Sequence, residues 1–599
     1  MGSHCECDEE NDNVFLRIII SAIFFAAGLY FKPYSVLFFA TAYLICGYDV
    51  ILRAIRNFFK GKLFDENFLM SVATLGAFYI NEFPEAAMVM ILYQTGEYFQ
   101  DKAVHKSGKS IEALIDIRPE YAIVDGKMTE PSDVKIGDVI TVKAGEKISL
   151  DGKIISGNAA IDMSALTGES VPIEVCEGME VLSGGINLNG IINIKVTKEY
   201  KQSTAYKVLE LIKTSAEKKA KTEKFITRFA KIYTPIVILL AILIFIILPL
   251  CADISYRTAF ERALTFLVIS CPCALVISVP LTFFAGIGAS STKGILIKGG
   301  NFLEQAARTG MVVFDKTGTL TTGVFGVKEI NSDNPDFLKY IAIAESVSSH
   351  PIARAILMAY KGDIPDMTNA KEYAGNGVEV FYDGKTVKAG TAKFIGVNPI
   401  ESEGTVVYLS INGVYEGNIV LSDIIKEDSQ KTVSELHDMN IKTAMITGDT
   451  KERAEYTAKQ INIGEVYSEL LPAGKVSKLE ELILKTSSPI MFAGDGINDA
   501  PVLKRADVGI GMGCLGSDAA VESADIVIMD DKPSKIVDLI NISRKTMFVV
   551  KQNIVFAIGI KIIFLILGGF GFVTMWGAVF ADVGVALIAI ANALRVKTV

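Results

Sequence analysis

With 599 residues, half of them hydrophobic and 21% charged, and a mean hydropathy of +0.38, the chain exceeds one hydrophobic core and mixes membrane-like with soluble composition. A net charge of -9 without a basic stripe excludes a nucleic-acid-binding protein. Eight scattered cysteines exclude a secreted disulfide framework and fit a reducing cytosol.

The N-terminus is acidic at Glu6, Asp8 to Glu10 and Asp12, where a cleavable signal would be basic. Residues 1–13 are expected to form a disordered tail, in which Cys5 and Cys7 carry little weight as metal ligands. Apolar stretches of roughly the twenty residues needed to cross a bilayer follow near 14–31, 34–54, 67–83, 85–103, 232–250, 263–287, 548–570 and 573–594. The expected class is a multi-domain protein with an α-helical transmembrane bundle of eight spans, grouped four, two and two. Arg53, Arg56, Lys60 and Lys62 follow the second span, Lys102, Lys106 and Lys109 the fourth, and Arg595 and Lys597 the last, so those loops are cytoplasmic. Both large polar blocks, 106–225 and 290–545, then lie inside. A basic amphipathic platform is expected from Arg53 to Lys62.

The first block holds strand-like runs such as Val134 to Val142 and Gly190 to Val196, divided by Gly and Asp turns, and reads as a small β-rich domain. In the second, short apolar runs (Met311 to Phe314, Thr443 to Ile446, Ile490 to Ala493, Ile526 to Met529) alternate with amphipathic helical stretches. That is the pattern of a parallel α/β sheet, interrupted by an insertion near 325–430.

Asp315 follows the run MVVF and opens DKTGTLTTG, so its carboxylate belongs at the carboxyl end of a strand, where α/β sheets place ligand chemistry. A carboxylate there can attack the terminal phosphoryl group of ATP, and the acyl phosphate splits one hard hydrolysis into two easier steps. Thr317 to Thr319 supply a turn whose N–H groups suit phosphate. TGDT (Thr447 to Thr450), Lys475 and AGDGINDAP (Ala493 to Pro501) end comparable strands. Asp495 would join Asp315 on Mg²⁺, Lys475 and Thr447 would neutralise charge on the transferred group, and Asn498 and Asp499 would steady the cluster. Any one segment alone is an ordinary capped turn; their joint occurrence at strand ends argues for chemistry.

In the sixth span, ISCPCALVI sets Cys271 and Cys273 either side of Pro272, which removes a helical hydrogen bond. Buried cysteines are usually small hydrophobes. Irregular backbone at membrane depth, however, is tolerated where it lines a cavity, and thiolates are soft-metal ligands. Lys561 and Asp582, in the seventh and eighth spans, are costly in lipid and so functional by default, the other reading being a buried ion pair with each other. Two thiolates and Asp582 would balance a divalent ion plus the counter-charge of Lys561. Glu85 follows Pro84, a favourable helix start; a carboxylate there is also an acceptable, weaker zinc ligand for a departing ion.

DKTGTLT, TGDT and GDGINDAP, with TGES at Thr167 to Ser170, closely resemble the signature set of P-type ATPases over essentially the whole chain. The resemblance implies an actuator domain (106–225), a HAD-like phosphorylation domain (290–325 and 431–545), an α+β nucleotide-binding domain (326–430) inserted in it, and spans in 14–105, 226–289 and 546–599. It adds Lys316, Gly448 and Asp449 to the catalytic set, makes Thr317 a magnesium ligand, and assigns Glu169 to positioning the water that hydrolyses phospho-Asp315. Glu345, His350, Gly375 and Gly377 match nucleotide-site residues of the heavy-metal branch, although His350 before Pro351 by itself reads as a helix start.

The Cys-Pro-Cys motif with Lys561 and Asp582 looks like the subgroup exporting zinc, cadmium and lead, and copper pumps carry a Tyr-Asn pair where this chain has Ile560 and Lys561. A hard carboxylate beside thiolates suits Zn²⁺ better than Cu⁺. In similar zinc pumps the glutamate matching Glu85 belongs to the release path. The chain departs from the pattern in lacking an N-terminal Cys-x-x-Cys domain and in having Lys62 after Gly61, where the second-span kink usually carries two glycines. The expectation is a monomeric, ATP- and Mg²⁺-dependent exporter of Zn²⁺, Cd²⁺ and Pb²⁺ in the plasma (inner) membrane, with its soluble domains in the cytoplasm, the bilayer and soft divalent ions as partners, and no nucleic acid. The alternatives are a Cu⁺ pump, separated by metal dependence of the ATPase; a membrane-tethered HAD-like phosphatase, which leaves the TGE loop without purpose; and a metal-gated channel or sensor, which needs no phosphorylated aspartate.

Overall fold

In lipid every backbone N–H and C=O has to be satisfied within the chain, so long apolar segments must be helical. The computed structural model describes residues 2–60, 66–113, 119, 121–163, 172–207, 221–251, 254–270, 273–348, 350–365, 367, 370–373, 375–400, 402, 404–495, 499–513 and 518–598. Among them six helical segments are long and apolar enough to cross a membrane: Asn13–Tyr30, Lys32–Phe59, Tyr233–Cys251, Tyr256–Ser291, Ser534–Phe570 and Met575–Leu594. The other two expected spans are helical but differ. The apolar part of Glu66–Tyr79, Asn67–Tyr79, is shorter, and Phe83–Ala113 becomes polar in its second half. Residues 2–13, expected as a disordered tail, instead continue the first helix, Gly2–Tyr30. A span has already nucleated that helix, so each added residue contributes a hydrogen bond without the nucleation cost.

The sixth span is two helices, Tyr256–Ile269 and Cys273–Ser291. Pro272 lies between them, outside the described residues, as do Gly61 and Lys62 of the second-span kink. A polar knot ties the first, second and fourth helices. Arg17 donates to Asp49 Oδ1 at 2.9 Å and to the Cys46 carbonyl at 3.1 Å, and Gln94 donates to the same two acceptors at 2.8 and 3.0 Å. The fourth helix approaches the last one at Gly96, where a Cβ would come within 2.4 Å of Val583.

Residues 122–196 build two antiparallel sheets. One has six strands in the order Lys127–Thr129, Ala122–Val124, Val139–Lys143, Ile191–Val196, Gly152–Ser156 and Glu180–Val181; the other has Ile173–Val175, Ala159–Asp162 and Ile186–Asn187. The expected strand over 134–142 begins only at Val139, because Gly137 turns left-handed (φ +97°) and interrupts the extended chain. Asp151 pins this fold. Its buried carboxylate accepts from Ser183 N (2.9 Å) and Oγ (2.7 Å) and from Thr204 N (3.1 Å) and Oγ1 (2.8 Å), and it pairs with Lys198 at 3.1 Å. Burial alone would raise its pKa, but the donors of Ser183 and Thr204 outweigh burial and hold it below the ordinary value.

The second polar block forms a seven-stranded sheet in the order Ile295–Ile297, Ile526–Ile528, Val508–Met512, Ile490–Gly494, Met311–Asp315, Lys442–Ile446 and Glu465–Tyr467. From Ile526–Ile528 across to Glu465–Tyr467 neighbouring strands run parallel. The four strands that carry the apolar runs are buried nearly throughout, as expected for a sheet covered on both faces. The insertion is a six-stranded antiparallel sheet, running from Thr321–Asn331 and Val414–Ile425 at one edge to Ala370–Tyr373 at the other. Helices Phe337–Glu345 and Pro351–Ala359 share its core.

Removing the Asp151 carboxylate leaves several buried donors without an acceptor. Asp151→Ala is expected to cost about 3 kcal/mol, read as a lower melting transition and faster proteolysis within 122–196 of the intact protein, whereas substitution of the exposed Met128 leaves both unchanged.

Candidate functional site

Parallel strands buried on both faces admit polar groups only at their ends, and Met311–Asp315 ends on Asp315 itself. Its neighbours end at Ile446 and Gly494, in register with it, so TGDT and Asp495 emerge on either side. Lys475, in the first turn of helix Pro472–Lys485, donates to Asp315 Oδ1 at 2.5 Å and to Asp499 Oδ1 at 2.9 Å. Asp315 and Asp499 are only 6% and 2% exposed. Burial, then the charge of Asp499, and more weakly that of Asp495, hold the Asp315 carboxyl well above the ordinary carboxylate range against the pull of Lys475. Burial works against the Lys475 charge, but Asp315 and Asp499 outweigh it and raise its pKa.

Around this core Lys316 pairs with Asp449 and stands 3.8 Å from Asp423. Asp449 N donates to Thr447 Oγ1 at 3.1 Å, and Gly448 lies beside the Leu470 carbonyl. Thr317 is extended, and Gly318 (φ +73°) brings the turn against Asp495: a Cβ there would lie 3.4 Å from Asp495 Oδ2. The Thr319 hydroxyl is buried with no hydrogen-bond partner among the described residues. A cleft of about 420 Å³ is lined by Lys316, Thr317, Asp423, Asp449, Arg453 and Tyr456, among others. Asn498 and Glu169 lie outside the described residues.

Asp315, Asp495 and Asp499 outnumber Lys475, yet among the described residues no three His, Cys, Asp or Glu side chains converge as a closed metal cage. Such a donor set suits Mg²⁺, which takes one or two carboxylates and completes its octahedron with phosphate oxygens and water.

In the insertion, Glu345 ends its helix and is buried. Burial, then the nearby Glu372, push its carboxyl up to about 7. Ser348 Oγ donates to Glu372 at 3.3 Å, which brings this corner to the strand that precedes Gly375. Gly375 is left-handed (φ +73°), and Gly377 lies so close to the facing strand that a Cβ would be 2.2 Å from the Ala389 carbonyl. His350 is the N-cap of Pro351–Ala359, its Nδ1 accepting from Ile352 N at 3.2 Å, so its helix-start role is realised.

In the membrane helices Lys561 Nζ meets Asp582 Oδ1 at 2.8 Å. Ile269, the last residue before the break in the sixth span, lines a small cavity together with both of them. The Cys271 and Cys273 side chains lie outside the described residues. Glu85 stands in the first turn of Phe83–Ala113, where it suits the helix dipole. Asp423 and Lys426, which also touch the Asp315 turn, escaped the sequence reading: each is one polar residue at the end of a strand without a motif around it.

A HAD-like fold whose strand ends gather a buried aspartate, a lysine and further carboxylates is the architecture of phosphoryl transfer, here in a chain with membrane-length helices. Residues 310–507 match the haloacid dehalogenase-like hydrolase family, and residues 122–213 match the P-type ATPase actuator domain. The chain is 48% identical over 605 aligned residues to the cadmium, zinc and cobalt-transporting ATPase of Bacillus subtilis, covering 98% of this chain and 86% of the relative. It is 46% identical to the zinc-transporting ATPase of Synechocystis, covering 97% and 84%. A crystal structure of a zinc-transporting PIB-type ATPase in the E2.Pi state superimposes with a TM-score of 0.65 at 35% identity, over 98% of this chain and 100% of the other. The chain belongs to the P-type ATPases, in their heavy-metal branch.

Glu345 yields a pH prediction. Its pKa rises from 4.5 unfolded to about 7 folded, so between these values the unfolded chain releases a proton that the folded insertion keeps. The stability tied to that proton is fully present below the unfolded value and is lost as pH rises through the folded one. Glu345→Gln is therefore expected to stabilise the insertion by roughly 2–3 kcal/mol at pH 8 and by little at pH 4.5, seen as a melting difference between mutant and wild type that widens with pH.

Proposed function

We propose that this ATPase exports Zn²⁺ and Cd²⁺ from the cytosol by phosphorylating and dephosphorylating Asp315. The observation that carries the proposal is the placement of Asp315: a buried carboxylate at a strand end, bonded to Lys475 beside Asp499. The names of the relatives, cadmium, zinc and cobalt-transporting and zinc-transporting, support the choice of metals. Pb²⁺ joins them as a further thiolate-seeking divalent ion. The catalytic cycle resides in an actuator region at 106–225, a phosphorylation region at 290–325 and 431–545, and a nucleotide-binding region at 326–430; spans in 14–105, 226–289 and 546–599 carry the ion.

Asp315 attacks the γ-phosphorus of ATP. The bond to the bridging oxygen breaks, ADP leaves, and an aspartyl phosphate remains. Lys475 and Thr447 stabilise charge on the transferred phosphoryl group, Lys316 is held for that role by Asp449, and the Thr319 hydroxyl is available to a phosphate oxygen. Asp315, Thr317 and Asp495 would hold Mg²⁺, steadied by Asn498 and Asp499, and the ion supplies charge neutralisation when bound. Glu345, His350, Gly375 and Gly377 receive the nucleotide base. Glu169, on the actuator loop, positions the water that cleaves the acyl phosphate.

Cys271, Cys273 and Asp582 hold the transported metal as substrate. The bond from Lys561 to Asp582 gives the lysine two duties, since the ammonium neutralises the carboxylate when no metal is present and completes charge balance when one is. Glu85 receives the ion on its way out.

Asp315→Asn is expected to abolish acid-stable labelling from ATP in the purified protein, and persistent labelling would sink the proposal. Asp582→Ala should remove zinc stimulation of ATP turnover, by roughly 100-fold or more, while ATP binding survives; wild-type stimulation in that mutant would remove Asp582 from the ion site.

A further inference from the structure

Between Asp315 and Thr321 the chain follows neither strand nor regular helix, because Thr317 is extended and Gly318 left-handed. The ladder that positions Asp315 therefore stops short of the turn, and other groups must orient its peptides. They come from the segment returning from the insertion. Asp423 accepts from Thr321 Oγ1 at 2.5 Å and stands 3.8 Å from Lys316. Lys426 N donates to the Leu320 carbonyl at 3.0 Å, and Ser429 Oγ donates to the same oxygen at 2.8 Å.

The Lys426 side chain does most of this work. It is 9% exposed, and its ammonium donates to the Gly318 carbonyl at 2.9 Å, the Asp531 carbonyl at 2.9 Å and Asp531 Oδ1 at 2.7 Å. A lysine ammonium has three N–H groups, so these acceptors use its full capacity. In a trans peptide the C=O and N–H point in opposite directions, so fixing the Gly318 carbonyl on Lys426 also turns the Thr319 N–H away from it. The anchor is itself wedged. Asp531 is left-handed (φ +55°), and its carboxyl carbon would lie 2.9 Å from a Cβ on Gly513, just past the strand Val508–Met512. The carboxylate partner of Lys426 is half-exposed, and an ion pair with one member open to water contributes about 0–1 kcal/mol, so stability alone does not account for an ammonium here.

We propose that Lys426 is a positioning residue for phosphoryl transfer, holding the Gly318 carbonyl against Asp531 and thereby setting the orientation of the Asp315–Thr319 turn. The inference rests on Asp315 being the phosphorylated residue. With its three N–H groups taken by Gly318 and Asp531, Lys426 acts through the turn, which makes a change in the rate of transfer its signature rather than a change in nucleotide affinity.

The test is rapid-quench labelling of the full-length protein by radiolabelled ATP in the presence of Zn²⁺, with melting followed in parallel. Lys426→Met keeps the aliphatic stem and removes the donors. Phosphorylation is expected to slow by about 10- to 100-fold, the cost of a turn misplaced by a fraction of an ångström, with the ATP concentration at half-maximal rate changed by less than about threefold. Lys426→Arg, which can still donate to both partners, should recover most of the rate, and Asp531→Asn, which weakens one of three contacts, should lose about threefold to tenfold. Labelling of Lys426→Met at the wild-type rate overturns the inference. So does a loss that merely tracks the folded fraction in all three variants. If Lys426→Met does not fold, Lys426→Arg and Asp531→Asn decide by the same criterion. An Asp315→Asn control separates the two levels: label persisting there refutes the choice of Asp315, whatever the Lys426 variants do.

Discussion

Negative charge, buried at one strand end, is the constraint on which the candidate site depends. Asp315 and Asp499 share the single ammonium of Lys475, with Asp495 close by, in surroundings where an uncompensated charge costs several kcal/mol. A covered parallel sheet tolerates such a cluster only at the carboxyl ends of its strands, which is why Thr447 and Asp495 reach it directly from the neighbouring strands.

Much of this was legible in the sequence, and the reason is local. Three short apolar runs announce neighbouring strands, and the polar residues that open their endings, Asp315, Thr447 and Asp495, are contiguous with them, so register carries these residues together. Asp423 and Lys426 were not legible. They act across more than a hundred residues of intervening chain, on Thr321 and Gly318, and a lone aspartate or lysine beside a strand carries no local signature of such a partner. The acidic composition of residues 2–13 argued for disorder, whereas helix propagation from the adjoining span decided their conformation. In the actuator region a single glycine, Gly137, outweighed the alternation that suggested a longer strand.

The membrane helices apply the same electrostatic rule with fewer groups. One lysine and one aspartate face each other, bordering a cavity that reaches the last residue before the interrupted helix. The described helices on either side are Tyr256–Ile269 and Cys273–Ser291, and the sequence between them holds Pro272, a residue type that cannot donate a helical hydrogen bond. The first, second and fourth helices are held together by the Arg17–Asp49–Gln94 knot.

The insertion also has a consequence for how the chain is made. The strand Met311–Asp315 leaves the ribosome well before its partners, because Met311 pairs with Lys442 on one side and with Ile490 on the other. At roughly 5–20 residues per second the second partner emerges on the order of ten to forty seconds later. Until Lys442–Ile446 emerges, a strand that is apolar up to Asp315 has both edges open, and one edge stays open until Ile490 follows, the situation in which nascent chains aggregate. The intervening residues close their own antiparallel sheet from neighbours in sequence, with Val414–Ile425 returning along Thr321–Asn331. The insertion can thus close its own sheet before Ile490 is made, and it delivers the chain back beside the waiting strand, so the length of chain that separates the partners of the central sheet need not stay unstructured while they are synthesised.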